Sequence, residues 1–321
     1  HLNQATPIAL QGLLNGAIVG INGTLGPLFP EAQAQVDLAL ESESVAAFSP
    51  FAGFTLPDLK GLEIATTLST DGGRFSGEKV RVLLNDSKLN LEVIGSIADL
   101  AQVAGIDLQV EINSDQISEL SEQLKLTHGY SLPRSLNVKT GLQGDLKTLS
   151  VTGLDLMIQD DGLDARLIGN MANVLAPAGA DAKLSIALNS IETIGRYLGR
   201  QLPAFGPLNV SAEMISPEQK IQLKSLRAEL ADPSLSATIS GSIEHIARSA
   251  DDTIEVSGIK LKGQLNSEQL DAVTAQFNFE MPVAPPAAIA IAASATGSLD
   301  QLSISDLKAV ITDEGLEVNL T

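Results

Sequence analysis

Apolar and polar residues alternate along most of this chain. Leu89-Asn90-Leu91-Glu92-Val93 is one run, and Leu108-Gln109-Val110-Glu111-Ile112 is another. Leu154-Asp155-Leu156, Leu184-Ser185-Ile186, Ile221-Gln222-Leu223 and Ile259-Lys260-Leu261 continue the pattern. Successive side chains of a strand point to opposite faces, so period-two alternation predicts strands with one apolar and one wet face. A sheet wet on one side is usually antiparallel, whereas parallel strands read as unbroken apolar runs. Asp71-Gly72-Gly73, Asp160-Asp161-Gly162 and Asp313-Glu314-Gly315 fall between such runs and suit tight hairpins. The pattern predicts an antiparallel meander of about nineteen strands at ~4.8 Å spacing.

The meander is interrupted at regular intervals. Asn113-Ser114, Asn189-Ser190 and Asn266-Ser267 recur 76 and 77 residues apart, each after an alternating run. Ser and Asn are good N-caps, so each pair predicts a short helix, over Asp115 to Leu124, Ile191 to Leu198 and Glu268 to Phe277. An earlier copy starts at Glu43-Ser44 and runs through Val45, Ala46 and Phe48. Prolines follow each stretch: Pro57, then Pro133, then Pro203 and Pro207, then Pro282, Pro285 and Pro286. A second marker, Gly95-Ser96-Ile97, Gly169-Asn170-Met171 and Gly241-Ser242-Ile243, recurs 74 and 72 residues apart at strand ends. These markers predict repeats of about 75 residues, each a short helix plus four to five strands. Residues 1–35 read as tail strands of a preceding repeat, notably Pro7 to Leu10 and Ala17 to Thr24. Repeats then cover 36–112, 113–188 and 189–265, with a partial one over 266–321. The fold class expected is mainly β: an elongated, twisted antiparallel sheet.

Charge narrows the partners. Lys and Arg number 20 against 39 Asp and Glu, a formal charge of −19. Nucleic acid is not an expected partner, because phosphate contacts need clustered cations. Docking on an anionic membrane surface is disfavoured for the same reason. Hydrophobic residues reach 44% with only 3% aromatics and no Trp, so aliphatic side chains do the burying. The chain has no Cys, which excludes disulfides, thiol catalysis and Cys-bound metal and is compatible with an oxidising compartment. The longest apolar stretch, Pro282 to Ala293, holds three prolines and is too short to span a bilayer. The sequence starts at His1 and stops at Thr321 inside an alternating run, which reads as a piece of a longer polypeptide.

Candidate chemistry is sparse. His1, His128 and His245 fall in different repeats and read as solvent-exposed loop residues. Asp160-Asp161 and Asp251-Asp252 lack the spacing of a calcium loop, and Gly72-Gly73 lacks the strand and helix of a phosphate loop. No metal site, cofactor or catalytic set is expected, so the reading is not an enzyme. Ile117, Leu120 and Leu124 give the second helix an apolar stripe that suits packing on the sheet.

The run Pro7-Ile8-Ala9-Leu10, then Val36-Asp37-Leu38 through Phe48-Ser49-Pro50, Leu56-Pro57-Asp58-Leu59 and Leu62-Glu63-Ile64, resembles bacterial AsmA-like proteins. The strand pair Leu68 to Asp71 and Arg74 to Leu84, and the phrase Gly297-Ser298-Leu299-Asp300-Gln301-Leu302-Ser303-Ile304-Ser305-Asp306-Leu307, are similar to that family's repeated phrases. Leu132-Pro133-Arg134 keeps the family's crossing, whereas Pro282 to Pro286 is an unusually proline-rich version. The resemblance implies a β-groove protein of the periplasm, tethered in the inner membrane by a segment absent here, along which phospholipid moves towards the outer membrane. It also implies partners in the envelope at either end.

A twisted sheet curls. If its apolar face is concave, it makes a trough for acyl chains, which need no directional partner. The expected lining is Leu62, Ile64, Val80, Val82, Leu84, Leu89, Leu91, Val93, Leu108, Val110, Ile112, Leu154, Leu156, Ile158, Leu184, Ile186, Leu188, Ile221 and Leu223. The competing expectation is a filled core under the helices, as in a structural solenoid or adhesin stalk that binds no lipid.

Overall fold

The structure, a computed structural model, describes residues 5–26, 34–71, 73–123, 132–175, 178–217, 220–248, 254–277, 286–313 and 316–320. His1, His128, Leu124, Gly72, Asp251, Asp252, Pro282, Pro285, Glu314 and Gly315 lie outside them. The chain is mainly β, open and antiparallel, with eighteen strands and a few short helices among the described residues. It divides into two compact units, 1–157 with 172–175, and 158–171 with 176–321.

The first unit is built from β1 (Thr6–Leu14), β2 (Ala17–Leu25), β3 (Ala34–Ser44), β4 (Lys60–Asp71), β5 (Arg74–Asn85), β6 (Asn90–Asp99), β7 (Ala104–Ser114), β8 (Ser135–Asp145) and most of β9 (Leu149–Asp160). From β1 to β8 each strand pairs antiparallel with the next. Ser150 Oγ then donates to the Gln143 carbonyl across β8 and β9 at 2.9 Å. A 3-10 turn (Val45–Phe48) with α1 (Ser49–Ala52) joins β3 to β4, and α2 (Ile117–Gln123) lies between β7 and β8.

The second unit holds most of β10 (Leu163–Asn173), then β11 (Ala178–Leu188), β12 (Leu208–Ser216), β13 (Ile221–Ala231), β14 (Ser236–Arg248), β15 (Ile254–Ser267), β16 (Ala288–Ser298), β17 (Leu302–Asp313) and β18 (Leu316–Leu320). The strands from β11 to β18 also pair in chain order. Here α3 (Glu192–Leu198) follows β11 and α4 (Leu270–Gln276) follows β15.

A helical connection therefore follows every fourth strand. In a meander, connections after odd strands share one end, so within each unit the helices gather at a single rim. A serine starts each one. Ser44, Ser114, Ser190 and Ser267 each accept, through Oγ, the N–H two residues on: Ala46 at 3.1 Å, Gln116 at 3.3 Å, Glu192 at 3.2 Å and Gln269 at 3.2 Å. The hydroxyl turns the backbone out of the ladder, and Ser44 is the N-cap of its 3-10 turn; α3 and α4 depart from the expected Ser caps, starting after Ile191 and Gln269 without a side-chain cap. The helices start one or two residues later than the sequence pattern predicts; α3 ends at Leu198 as expected and α4 ends one residue early, at Gln276.

Two devices repeat with the same four-strand period. Lys79, Gly153, Ser225 and Asp306, in β5, β9, β13 and β17, all have φ between 49° and 59°. Ladder register shifts beside Lys79, Ser225 and Asp306. Such bulges add local twist and bend the strand. The second device is glycine. A Cβ on Gly23, Gly95, Gly169 or Gly241 would sit 2.0–2.3 Å from the carbonyl oxygen of Gln35, Asp107, Asp181 or Lys260 on the next strand. Gly95 and Gly241 also have φ of 147° and 150°. Replacing Gly95 by Ala should lower unfolding free energy by about 2 kcal/mol, because backbone must move and an unfavourable φ is imposed. A Cβ at Gly12 would meet nothing within 4 Å, so Gly12→Ala should be near neutral when both variants are unfolded in urea.

Candidate apolar groove

Ladder register fixes which side chains share a face, because directly opposed residues point the same way. In the first unit Leu40, Ile64, Val82, Val93, Val110 and Thr140 form one such row across β3 to β8. The neighbouring row holds Leu62, Leu84, Leu91, Ile112 and Val138. Val80 and Leu108 meet at Gly95 one row further on. The opposite face carries Glu41, Glu63, Arg81, Glu92, Gln109, Glu111 and Lys139. On that wet side Lys139 Nζ lies 2.8 Å from Glu111, and its hydrogen bond holds the Glu111 carboxyl below the usual range.

The second unit repeats the arrangement. Leu184 faces Ala212, Ile186 faces Val210 and Leu188 faces Leu208. Leu223 opposes Met214 on one side and Ile243 on the other, and the row continues to Ile259. Ile221 opposes Ile246. The outward face has Lys183, Glu213, Arg227, Glu229, Lys260 and Lys262. Leu154, Leu156 and Ile158 occupy alternate positions of β9, and all three are half-buried.

The helix-bearing rim differs from the rest of the apolar face. In the second unit Phe205, Leu230, Leu235 and Val273 form a dry cluster, with Ile191, Leu208, Ala237, Leu265 and Leu270 packed around it. Phe205 is 1% exposed, and its ring lies 5.6 Å from that of Phe277. In the first unit Leu59 and Leu84 are buried at the corresponding rim. Away from it the face is mixed: Ile106, Ala180, Ala182, Ala212 and Ile259 are buried, Leu91, Val93, Val110, Leu184, Ile186 and Leu223 are half-buried, and Ile239, the fourth residue of β14, is 42% exposed.

Three expectations need correction. Leu84 and Leu188, 6% and 3% exposed, belong to the packed rim and not to an open lining. Leu89 is not a strand residue; it ends the turn between β5 and β6, where its carbonyl accepts the Asp86 N–H at 3.1 Å. His245 is no loop residue: it is half-buried within β14, opposite Ser257.

A latch that sequence reading missed ties the helical connections down. Asp86 Oδ2 accepts the Lys60 N–H at 2.7 Å and Oδ1 the Lys88 N–H at 2.8 Å. Asp232, 146 residues later, accepts Gly206 N–H at 3.2 Å and Ser234 N–H at 2.9 Å. Leu59 and Phe205, immediately before the clamped residues, are separated by the same interval, as are Leu84 and Leu230, and Leu89 and Leu235. The signal was there: Asp86-Ser87-Lys88-Leu89 and Asp232-Pro233-Ser234-Leu235 share an Asp-x-x-Leu turn. The phrase starting at Gly297 likewise has a copy at Gly144-Asp145-Leu146-Lys147-Thr148-Leu149-Ser150-Val151. Asp145 N–H donates to Thr148 and Ser298 N–H to Gln301, at 3.2 and 2.9 Å, closing the same turn.

A third tie fixes α3. Tyr197 donates its hydroxyl to Asp160, and Arg196 donates to the Asp161 carbonyl. Burial and the Asp160 carboxylate together push the phenol up to about 12.

Burial works against the charged form of Asp232, but hydrogen bonds from Ser234, Gly206 and Leu235 outweigh it and hold the carboxyl below its usual range. A depressed folded value stabilises above the unfolded value and is lost as pH falls through the folded one. Asp232→Ala should cost about 1–3 kcal/mol at pH 7. The gap from the parent should shrink as pH falls below about 4, the ordinary value of the unfolded carboxyl, and vanish once pH has passed the lower folded value, where the carboxyl is protonated in both states. Urea titrations at pH 7 and pH 3 measure both numbers.

Among the described residues no three His, Asp or Glu side chains converge as a metal site, and no helix is long and apolar enough to cross a membrane. Leu91, Val93, Val110, Leu184, Ile186 and Leu223 on the aliphatic face stay half-exposed within their units. No family model, curated protein or solved structure matches the chain.

Proposed function

We propose that the chain is a periplasmic segment of an AsmA-like protein that binds or conducts phospholipid between the inner and outer membranes, supporting outer-membrane assembly and integrity. The parent protein is then anchored in the inner membrane and meets envelope partners at its ends. The observation that carries this reading is the half-open aliphatic face, continuous over β3 to β8 and again over β11 to β17, opposite a charged face. Each CH₂ of an acyl chain that leaves water there gains about 0.8 kcal/mol and asks for no polar partner. No cofactor and no catalytic step belong to the proposal.

The dry cluster around Phe205 favours a second reading in part of the molecule, a stalk whose apolar face is sealed. Native mass spectrometry of the gently purified 321-residue chain separates the two. Co-purified phospholipid supports the conduit; a lipid-free chain that also takes up none from vesicles leaves the stalk.

A further inference from the structure

We propose that the first helical connection is a membrane-contact loop: Phe51 and Phe54 enter the surface of a bilayer of zwitterionic lipid, whether or not the groove carries lipid.

The two units hold the same connection with different surfaces. At the 146-residue offset that relates Asp86 to Asp232, the frames coincide. Val45 N–H donates to the Leu59 carbonyl at 2.9 Å, and Ile191 N–H to the Phe205 carbonyl at 2.7 Å. Gly53 and Gly199 end α1 and α3 in the left-handed region, at φ of 75° and 62°. The outer positions differ. Glu192, Arg196, Tyr197 and Arg200 have Ala46, Pro50, Phe51 and Phe54 as their counterparts. The facing hairpin changes in step, from Asp160-Asp161 to Leu14-Asn15. Tyr197 and Arg196 tie α3 to its hairpin, whereas the first connection is held by the Asn15 amide donating to the Ala47 carbonyl. Phe51 and Phe54 are left 63% and 65% exposed. Both flanking hairpins are in place, joined at Ala47 by Asn15 and at Lys60 by Asp86, so the rings stay exposed with their own neighbours already seated.

The chemistry of the loop points to lipid. Three of the eight phenylalanines fall between Val45 and Pro57, a stretch without Asp, Glu, Lys or Arg. The rings of Phe48 and Phe51 lie 6.4 Å apart, so the half-buried one supports the exposed one. Hydrocarbon penalises unpaired polar groups, and this loop pairs its own. Ser49 Oγ donates to the Ala46 carbonyl at 2.8 Å and accepts the Leu56 N–H at 2.9 Å. Gly53 N–H donates to the Ser49 carbonyl at 3.1 Å. A protein interface surrounds its apolar centre with polar contacts; from Val45 to Pro57 the Thr55 hydroxyl is the one exposed polar side chain. At the base Lys60 pairs with Asp58 at 2.9 Å, so the nearest cation in sequence does not draw the loop to anionic head groups. The contact is therefore apolar, and a zwitterionic surface suffices for it.

The chain has no Trp, so a single one reports its own surroundings. Phe54→Trp and Arg200→Trp place it at matched sites of the two connections in the full 321-residue chain. With phosphatidylcholine vesicles brominated on the tails, Phe54→Trp emission should shift to the blue and be quenched severalfold more than that of Arg200→Trp. High salt should leave that difference intact. Phe51→Ser with Phe54→Ser should lower the fraction that co-sediments with plain phosphatidylcholine vesicles by roughly tenfold or more. Equal quenching at the two sites overturns the proposal, as does a parent chain that fails to co-sediment or a double variant that co-sediments like the parent. Loss of a dimer in place of loss of vesicle binding also overturns it and makes the rings an interface between copies. The groove is read separately by native mass spectrometry. Phospholipid retained by a chain whose Phe54→Trp is not quenched leaves the groove without the loop; a lipid-free chain whose Phe54→Trp is quenched leaves the loop without the groove.

Discussion

Phe205→Ala should lower the unfolding free energy of the second unit by about 3 kcal/mol, whereas Ile239→Ala should cost under about 1 kcal/mol. Both are aliphatic-face or rim residues of the same sheet, and the difference lies in what surrounds them. Phe205 is enclosed by Leu230, Leu235 and Val273, so its truncation leaves a cavity that the latch at Asp232 and the short helix α4 cannot close. Ile239 is already 42% in water between Ala228 and Gly263, so truncation forfeits little transfer energy and leaves no void. Urea unfolding followed by hydrogen exchange at β12 to β15 reads both. Similar large losses at the two sites would mean that the face is sealed in solution, and the lipid groove would fall with it.

The contrast bears on what a sequence can reveal. The faces were legible because a period of two leaves no choice: Leu91 and Val93 must share a side if Asn90 and Glu92 share the other. Helix starts were legible because a serine after a strand has a specific job, to accept the N–H two residues on. The strand count, eighteen in the described residues against about nineteen expected, followed from the same signals. The packed rim was not legible. Leu84 and Leu91 look alike as letters and face each other across the ladder, yet one is buried and the other half-exposed, a difference that alternation alone does not encode. Bulges were hidden for a related reason. Lys79 and Ser225 adopt a left-handed φ that neither residue favours, so the sheet's bending imposes it and local preference does not announce it. His245 was misplaced because an isolated polar residue near a loop reads as loop. The Asp86 and Asp232 latch could have been found by comparing turns at twice the repeat length.

Charge placed on the two faces should have opposite consequences. Val93→Arg or Val110→Asp puts charge where the proposed acyl chains pass. Were these positions sealed, an unpaired charge would be severely destabilising and the chain would unfold. They are only half-buried, so water can reach the new charge, and the Arg stem can lie along the apolar face with its head in solvent. The expected variants are therefore folded, with lower lipid binding and, in cells, impaired outer-membrane integrity. Photo-crosslinking groups supply the geometry. Placed at 91, 93, 110 and 112 they should capture phospholipid; at 90, 92, 109 and 111, which register assigns to the wet face, they should not. Leu84→Asp is the internal standard, because that residue is 6% exposed in the packed rim and its charge has no route to water. It should unfold the first unit while Val93→Arg does not. Equal capture from both faces, or from neither, would leave the stalk reading in place, since a sealed face offers lipid no purchase and a nonspecific surface offers it everywhere.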